Sequence, residues 1–333
     1  MPNGARSNSP SPGRRVLLRG ALAAGLLTTR PAAAQESWPR RPVRLVVPFA
    51  AGGAADTPAR IMADHLTRAL GQPCIVENRA GAGGALGIRA VAQATDGHTL
   101  LHTTSAVAVL PALQRQPGYD PLTDLAPISL TAEAPILLLV RGEAPWPDFH
   151  AYAAAARARP GGVSFGSAGT GSTVHLAGEL LRVRAGLDLL HVPFRGSSPA
   201  ATALLGGIID SVFLSPLEAM PHLRAGKMRV LGSAGPAPDP LMPDVPRLAD
   251  FVPSYEGVTL WFGLLGPRDL SEVAIRALMQ ALAPLREHSI LTDRMAELGA
   301  TVRLDGPAPL TARLRQEVPL WQSLAEAAHI PRE

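Results

Sequence analysis

Residues 41–60 constrain the fold of this 333-residue chain more than any other stretch. The apolar run at residues 43–49 is rich in β-branched residues, which is typical of a buried strand. Small residues follow at 50–55, and a helical pattern begins at Thr57-Pro58 with Asp56 as the predicted N-cap. This order predicts a strand-to-helix loop at the carboxyl end of a strand, where α/β sheets bind ligands and free N–H groups attract anions. An ordinary βα turn is the alternative.

Residues 1–34 are typical of an export signal. Arg14-Arg15 is followed by an apolar stretch at 21–27 and by Ala32-Ala33-Ala34, a small-residue cleavage site. The arginine pair resembles a twin-arginine signal, with a general secretory signal as the alternative. Because no other apolar run reaches the roughly 20 residues of a membrane span, we expect cleavage near Ala34 and a mature protein in the periplasm.

Charge and cysteine content narrow the possible functions. The formal net charge is +4, but residues 1–34 hold five arginines and no acidic residue, which leaves 26 basic and 27 acidic residues in the mature chain. That balance gives no indication of a nucleic-acid partner. Cys74 is the only cysteine and lies in a strand-like setting, which predicts a buried structural thiol. Scattered histidines without an H-E-x-x-H motif predict no metal site, and no cofactor is expected.

Strand and helix patterns alternate along the mature chain, which predicts an α/β fold with parallel-type sheets covered by helices. Helices are predicted at residues 56–70 and 272–285, for example, and strands at 74–77 and 208–214. Two apolar segments near residues 128–140 are predicted to cross between lobes. We therefore expect one lobe at residues 35–135 and 236–333, and a second at 136–235.

The second predicted lobe repeats the design of residues 41–60. A strand at 163–166 is followed by the hydroxyl-rich loop at 167–173 and by a helix that contains His175. This loop is a second candidate anion site at a helix start. His175 either faces a ligand or packs as an ordinary helix-start residue.

A different function is suggested by residues 162–166, which match the G-x-S-x-G pattern of hydrolase nucleophiles. Ser164 would be the nucleophile, with Asp210 and His222 downstream in a workable order. The match itself lies in a predicted strand, however, whereas the motif requires a strand before the serine and a helix after it. A secreted serine hydrolase that uses Ser164 is the alternative function.

The chain resembles the substrate-binding receptors of tripartite tricarboxylate transporters, the Bug family, over essentially all of its mature length. The resemblance lies in a set of motifs that occur in the family's order. They are Trp38-Pro39, residues 41–49 with Gly52-Gly53 and Asp56, Gly71-Gln72-Pro73, residues 76–79, residues 81–84, Tyr119-Asp120-Pro121, residues 167–171, residues 175–179, residues 191–196, Leu205-Gly206-Gly207, Ala225-Gly226-Lys227 and residues 243–246.

The resemblance implies a two-lobe, type II-like Venus-flytrap receptor rather than an enzyme. Such a receptor closes on a small carboxylate: a dicarboxylate or tricarboxylate, an acidic amino acid or an aromatic acid. Its partners would be the membrane permease subunits of the transporter or a membrane sensor, and we expect a monomer. The residues that the resemblance and the two loops assign to ligand binding are Phe49, Ala50, Gly52, Gly53, Ala54, Ala55, Asp56, Ser105, Ser167, Gly169, Thr170, Gly171, Ser172, Thr173 and Arg195.

Three departures from the family pattern bear on the choice of ligand. Ala55 replaces a Ser or Thr, Leu214-Ser215 replaces an Asp-Asn pair, and Phe194-Arg195 replaces Tyr-Lys. A site that loses a buried hydroxyl or amide can change its ligand preference strongly. Arg195 either makes a bidentate contact with a second carboxylate or is an ordinary surface arginine.

Overall fold

The structure is a computed structural model that describes residues 1, 3–5, 38–239, 241–287, 289–327, 330 and 332. The predicted signal peptide from residue 6 onward and its cleavage site at Ala34 lie outside the described residues. No helix in the described ranges is both long enough and apolar enough to cross a bilayer.

Strands and helices alternate through most of the described chain. The strands are β1 (Val43–Val47), β2 (Cys74–Asn78), β3 (Thr99–Thr104), β4 (Leu125–Ala134), β5 (Leu137–Arg141), β6 (Val163–Ser167), β7 (Leu189–Pro193), β8 (Ser211–Leu214), β9 (Met228–Ser233), β10 (Leu260–Pro267) and β11 (Thr301–Asp305). The helices are α1 (Asp56–Leu70), α2 (Ala85–Ala92), α3 (Ala106–Leu113), α4 (Phe149–Ala158), α5 (Thr173–Arg184), α6 (Ser197–Leu205), α7 (Pro216–Arg224), α8 (Leu248–Phe251), α9 (Glu272–Leu282), α10 (Ile290–Glu297) and α11 (Pro307–Ala327).

Two mixed sheets form the two lobes, which confirms the two-lobe α/β class. The first sheet has the order β11-β4-β10-β3-β1-β2 and the second the order β7-β6-β8-β5-β9. Pairs joined through helices are parallel, as in β1 with β2 and β6 with β7. The strands that lead from one lobe to the other, β4, β5, β9 and β10, pair antiparallel, so neither sheet is wholly parallel. We propose that the lobes divide at the predicted boundaries, 135/136 and 235/236, a division that sheet membership supports.

The central strand β1 shows why this sequence forms a covered sheet. Val43 and residues 45–47 are fully buried, as expected for a strand with helices on both faces. Helix α1 contributes Met62 and Leu66 to the same core. Burying each such side chain stabilises the fold by about 1.5–3 kcal/mol.

Most predicted elements occur within a few residues of their predicted positions, and the differences have local causes. Helix α1 begins at Asp56 as predicted, but its N-cap is Ala55, and no side chain caps it. The strand predicted at 208–214 begins only at Ser211, because Ile208 lies in a turn with its side chain exposed. The helix predicted at 272–285 ends at Leu282, and residues 283–285 form a 3₁₀ turn.

Candidate ligand-binding cleft

The carboxyl ends of strands from both sheets meet at one cleft. β1 and β3 end there in the first lobe, and β6, β7 and β8 end there in the second. A cavity of about 20 Å³, enough for about one water molecule, lies between them. Its lining residues are Phe49, Gly53, Ala54, Ala55, Thr104, Ala168, Ser172, Thr173, Val174, Ser197, Ser215, Glu218 and Leu260.

The carboxylate of Asp56 holds the first loop, residues 50–55, in place through hydrogen bonds. Its Oδ2 accepts hydrogen bonds from the N–H of Gly52 at 2.9 Å and from Arg60 Nε at 2.8 Å, and its Oδ1 accepts one from Asn78 Nδ2 at 2.9 Å. Burial opposes ionisation, but these hydrogen bonds outweigh it and lower the pKa of Asp56. The carboxylate therefore folds the loop and is turned away from the cavity lining.

Other donors of the first loop are also used within the protein. The N–H of Gly53 donates to the carbonyl of Ala50 at 3.3 Å, and the N–H of Ala54 donates to Glu218 Oε1 at 2.7 Å. The carbonyl of Ala55 contacts His102 Nδ1 at 3.0 Å. The first loop thus lines the cavity, but it presents fewer unused donors than a strand-to-helix loop suggests.

The second loop is held by hydrogen bonds to imidazole and hydroxyl groups. Ser172 caps α5 by accepting the N–H of His175 at 3.3 Å, and His175 Nδ1 accepts the N–H of Gly171 at 3.2 Å. Ser167 Oγ lies 2.7 Å from His191 Nε2 and accepts the N–H of Gly169 at 3.1 Å. Burial lowers the pKa of His175, as do the charges of His191 and Arg182. A neutral His175 therefore stabilises the loop from within instead of facing a ligand.

The start of α5 offers the cavity an electropositive surface. The N–H groups of Thr173 and Val174 have no acceptor within the helix, since the first turn has no preceding carbonyl to bond to. Both residues line the cavity. The helix dipole adds a partial positive charge at this end. An anion is therefore favoured beside these two residues.

The two lobes touch on several sides of the cavity. Ser105 Oγ lies 2.8 Å from Thr173 Oγ1, and Gln114 Nε2 donates to the carbonyl of Thr170 at 3.4 Å. Three glycines also lie against the other lobe: Gly83 against Thr170, Gly196 against Ala50, and Gly52 near Ser198 Oγ. A Cβ added at any of these glycines would contact the neighbouring residue. The cleft is closed, which explains why its inner cavity is so small.

A second, larger cavity of about 350 Å³ adjoins the first, and Phe49 and Ala168 line both. Its other lining residues include Gly169, Thr170 and the exposed Arg195. Arg195 therefore lines the second cavity and not the first.

Several cavity residues were not predicted from the sequence. They are Thr104, Val174, Ser197, Ser215, Glu218 and Leu260, whereas Ala168 belongs to the predicted loop at 167–173. Three of them follow the ends of β7 and β8. Each of these strand ends leads into a helix, as the ends of β1 and β6 do. Applying the strand-end rule to all parallel strands would have found Ser197, Ser215 and Glu218.

The structure contradicts a nucleophilic role for Ser164. Its hydroxyl donates to Asp210 Oδ2 at 2.9 Å and accepts the N–H of Asp210 at 3.0 Å. The hydroxyl donates its hydrogen bond to the carboxylate of Asp210 and not to the imidazole of His222. Ser164 therefore ties β6 to the turn before β8, and the hydrolase alternative is wrong.

The structure shows no functional setting for Cys74 and no cluster of metal ligands among the described residues. Cys74 is a partly buried free thiol at the start of β2, and burial raises its pKa to about 12, so that it stays protonated. Within the described residues, no group of three or more His, Cys, Asp or Glu side chains is arranged to hold a metal ion.

Comparison with known proteins identifies the family. Residues 58–303 match the family described as the tripartite tricarboxylate transporter family receptor, TctC. This chain belongs to that family. Its members and their structural relatives are substrate-binding receptors rather than enzymes, which agrees with the hydrogen bonds of Ser164.

Individual relatives extend the similarity over most of the chain. BugT of Bordetella pertussis is 32% identical over 289 residues, which cover 86% of this chain and 89% of BugT. MatC from Rhodopseudomonas palustris, solved with bound malate, is 34% identical with a TM-score of 0.79 and matches 86% of this chain and 99% of its own. R. palustris Rpa4515, solved with adipate, is 31% identical with a TM-score of 0.83, covering 89% of this chain and all of its own.

Proposed function

We propose that this receptor captures a small carboxylate in the cleft between its lobes and delivers it to the permease of a tripartite tricarboxylate transporter or to a membrane sensor. The observation that carries the proposal is the N-terminus of α5, whose first two residues, Thr173 and Val174, line a cavity between the lobes. Carboxylates bind such helix starts through hydrogen bonds and the helix dipole.

The relatives support the chemical class of the ligand. MatC holds malate and Rpa4515 holds adipate, and each ligand has two carboxylates. In this chain, one carboxylate would meet Ser172, Thr173 and Val174, while Arg195 would meet a second group in the outer cavity. Of the other residues assigned from the sequence, Phe49, Gly53, Ala54 and Ala55 would form walls of the cleft, and Asp56 would hold the first loop in place.

The cellular setting is part of the same proposal. The predicted signal at residues 1–34 would export the chain, and cleavage near Ala34 would release a monomeric receptor into the periplasm, where receptors of this kind meet their membrane partners. A dicarboxylate, a tricarboxylate, an acidic amino acid and an aromatic acid all remain candidate ligands.

A thermal-shift screen of the chain from Gln35 onward tests the proposal. Monocarboxylates, dicarboxylates, tricarboxylates, acidic amino acids and aromatic acids would each be paired with the matching amide. A ligand at about a hundred times its dissociation constant stabilises the fold by about 2.7 kcal/mol, so we expect a shift with an acid but not with its amide. Folded, ligand-free protein that responds to none of the acids would refute carboxylate binding.

A further inference from the structure

Glu218 has an unexpected position for a residue in the first turn of a helix. It lies three residues after Ser215, the N-cap of α7, a spacing that predicts a capping box in which the glutamate accepts the N–H of the N-cap. The structure shows no such cap. Instead, Glu218 Oε1 accepts the N–H of Ala54 from the other lobe at 2.7 Å, and its Oε2 accepts the hydroxyl of Ser215.

The carboxylate of Glu218 is buried without a cation. Its side chain is 8% exposed, and the groups that donate to it are all neutral: Ala54, Ser215, Ser197 and its own N–H. No arginine, lysine or histidine lines the inner cavity among the described residues. Burying a carboxylate without a positive partner is costly, and burial raises the pKa of Glu218. A ligand that supplied a positive charge would remove that cost.

The cavity therefore has two poles. Glu218 is the acidic pole, because an ammonium group beside it would favour its ionised form and so oppose the effect of burial, and the start of α5 at Thr173 and Val174 is the positive pole. The remaining walls include Phe49, Ala168 and Leu260, which are apolar. In such low-dielectric surroundings a carboxylate placed against Glu218 would be repelled, whereas an ammonium group there would be attracted.

We propose that Glu218 determines the ligand class of this receptor: it selects an amine-bearing carboxylic acid, whose ammonium group binds Glu218 while its carboxylate binds the start of α5. The proposal rests on the proposed function, because it assigns one end of the same carboxylate ligand. Since the closed cavity holds about one water molecule, the lobes separate to admit an amino acid and hold it with the cleft wider than in this structure.

The test compares acids that differ only in the amine, by isothermal titration calorimetry on the chain from Gln35 onward. The probes are aspartate against succinate and glutamate against glutarate. We expect the wild-type protein to bind at least one amino acid ten times or more tightly than its desamino partner. The Glu218→Gln variant keeps the side-chain shape and removes the charge, so it should lose that preference. Glu143→Gln removes an exposed carboxylate elsewhere and should keep it.

The outcomes separate this inference from the proposed function. If the wild-type protein binds an acid and its amino partner equally well, Glu218 does not select an amine, although the carboxylate receptor stands. That wild-type comparison does not depend on the folding of any variant. The inference is also overturned if the wild-type protein shows no amine preference and Glu218→Gln binds succinate more tightly than the wild-type protein does. In that case the Glu218 side chain lies where a carboxylate of the ligand would bind. If none of the four acids binds, the inference is overturned, whereas the proposed function fails only if no acid in the wider thermal-shift screen binds either.

Discussion

Closure of the cleft depends on the absence of a side chain at Gly83. This residue lies in the turn after β2 at a φ of 64°, and a Cβ added there would lie 1.9 Å from the carbonyl oxygen of Thr170 in the other lobe. Both groups belong to the backbone, so a side-chain rotation cannot relieve the overlap. Gly83→Ala should therefore act as a wedge that keeps the lobes apart.

The size of the effect follows from the geometry. Ordinary contact begins at about 3.4 Å, so the two backbones must separate by about 1.5 Å. An alanine at this φ also costs about 1–2 kcal/mol in backbone strain. Gly186→Ala is the matched control, because Gly186 has a φ of 60° and no atom within 4 Å of an added Cβ. Strain alone should therefore lower the stability of both variants to a similar degree, and only Gly83→Ala should also hinder closure.

Binding and scattering measurements distinguish the wedge from the strain. If closure holds the ligand and the closed form falls to about 1% of the population, the apparent affinity drops about a hundredfold. With malate, adipate, aspartate and glutamate as probes, we expect at least a tenfold loss for Gly83→Ala and wild-type affinity for Gly186→Ala. Small-angle X-ray scattering should show a larger radius of gyration for Gly83→Ala alone. Equal affinities and equal radii for the two variants would refute the role of Gly83 in closure.

Three further perturbations test individual residues. Burial lowers the pKa of His102 from 6.5 to about 4, so the unfolded state gains the proton first, and stability should fall by about 3 kcal/mol as pH drops from 6.5 to 4. His102→Asn should lose much less between pH 7.5 and 4.5 in urea unfolding, and identical losses would contradict this assignment. Arg195→Gln should weaken binding of adipate at least tenfold while sparing monocarboxylates in calorimetry; unchanged adipate binding would make Arg195 an ordinary surface residue. Ser172→Ala should lower unfolding free energy by about 1 kcal/mol through loss of the α5 cap, and an unchanged urea midpoint would show that the cap contributes little.

The sequence predicted those helices and strands that are determined by their own residues and immediate neighbours. Helix α1 occupies residues 56–70 as predicted, because its apolar spacing and the glycine after it define both ends within the sequence. Helix α3 was not predicted because seven of its eight residues are buried, and a helix that is apolar on all sides has no periodicity to detect. Strand β11 was also missed, since its alternation of polar and apolar residues covers only five positions and includes only two apolar residues, Val302 and Leu304.

The candidate site was predictable in position but not in its available donors. The strand ends at β1 and β6 could be located from small residues before helices, and both lie at the cleft. Whether a donor there is free depends on partners far away in sequence, as with the N–H of Ala54 and Glu218, which are 164 residues apart. The sequence of one loop indicates how many N–H groups a helix start supplies. The site offers a ligand only those N–H groups that are not already hydrogen-bonded within the folded protein. In this cleft the difference favours the start of α5, and it leaves at Glu218 a buried carboxyl group whose hydrogen-bond donors are all neutral.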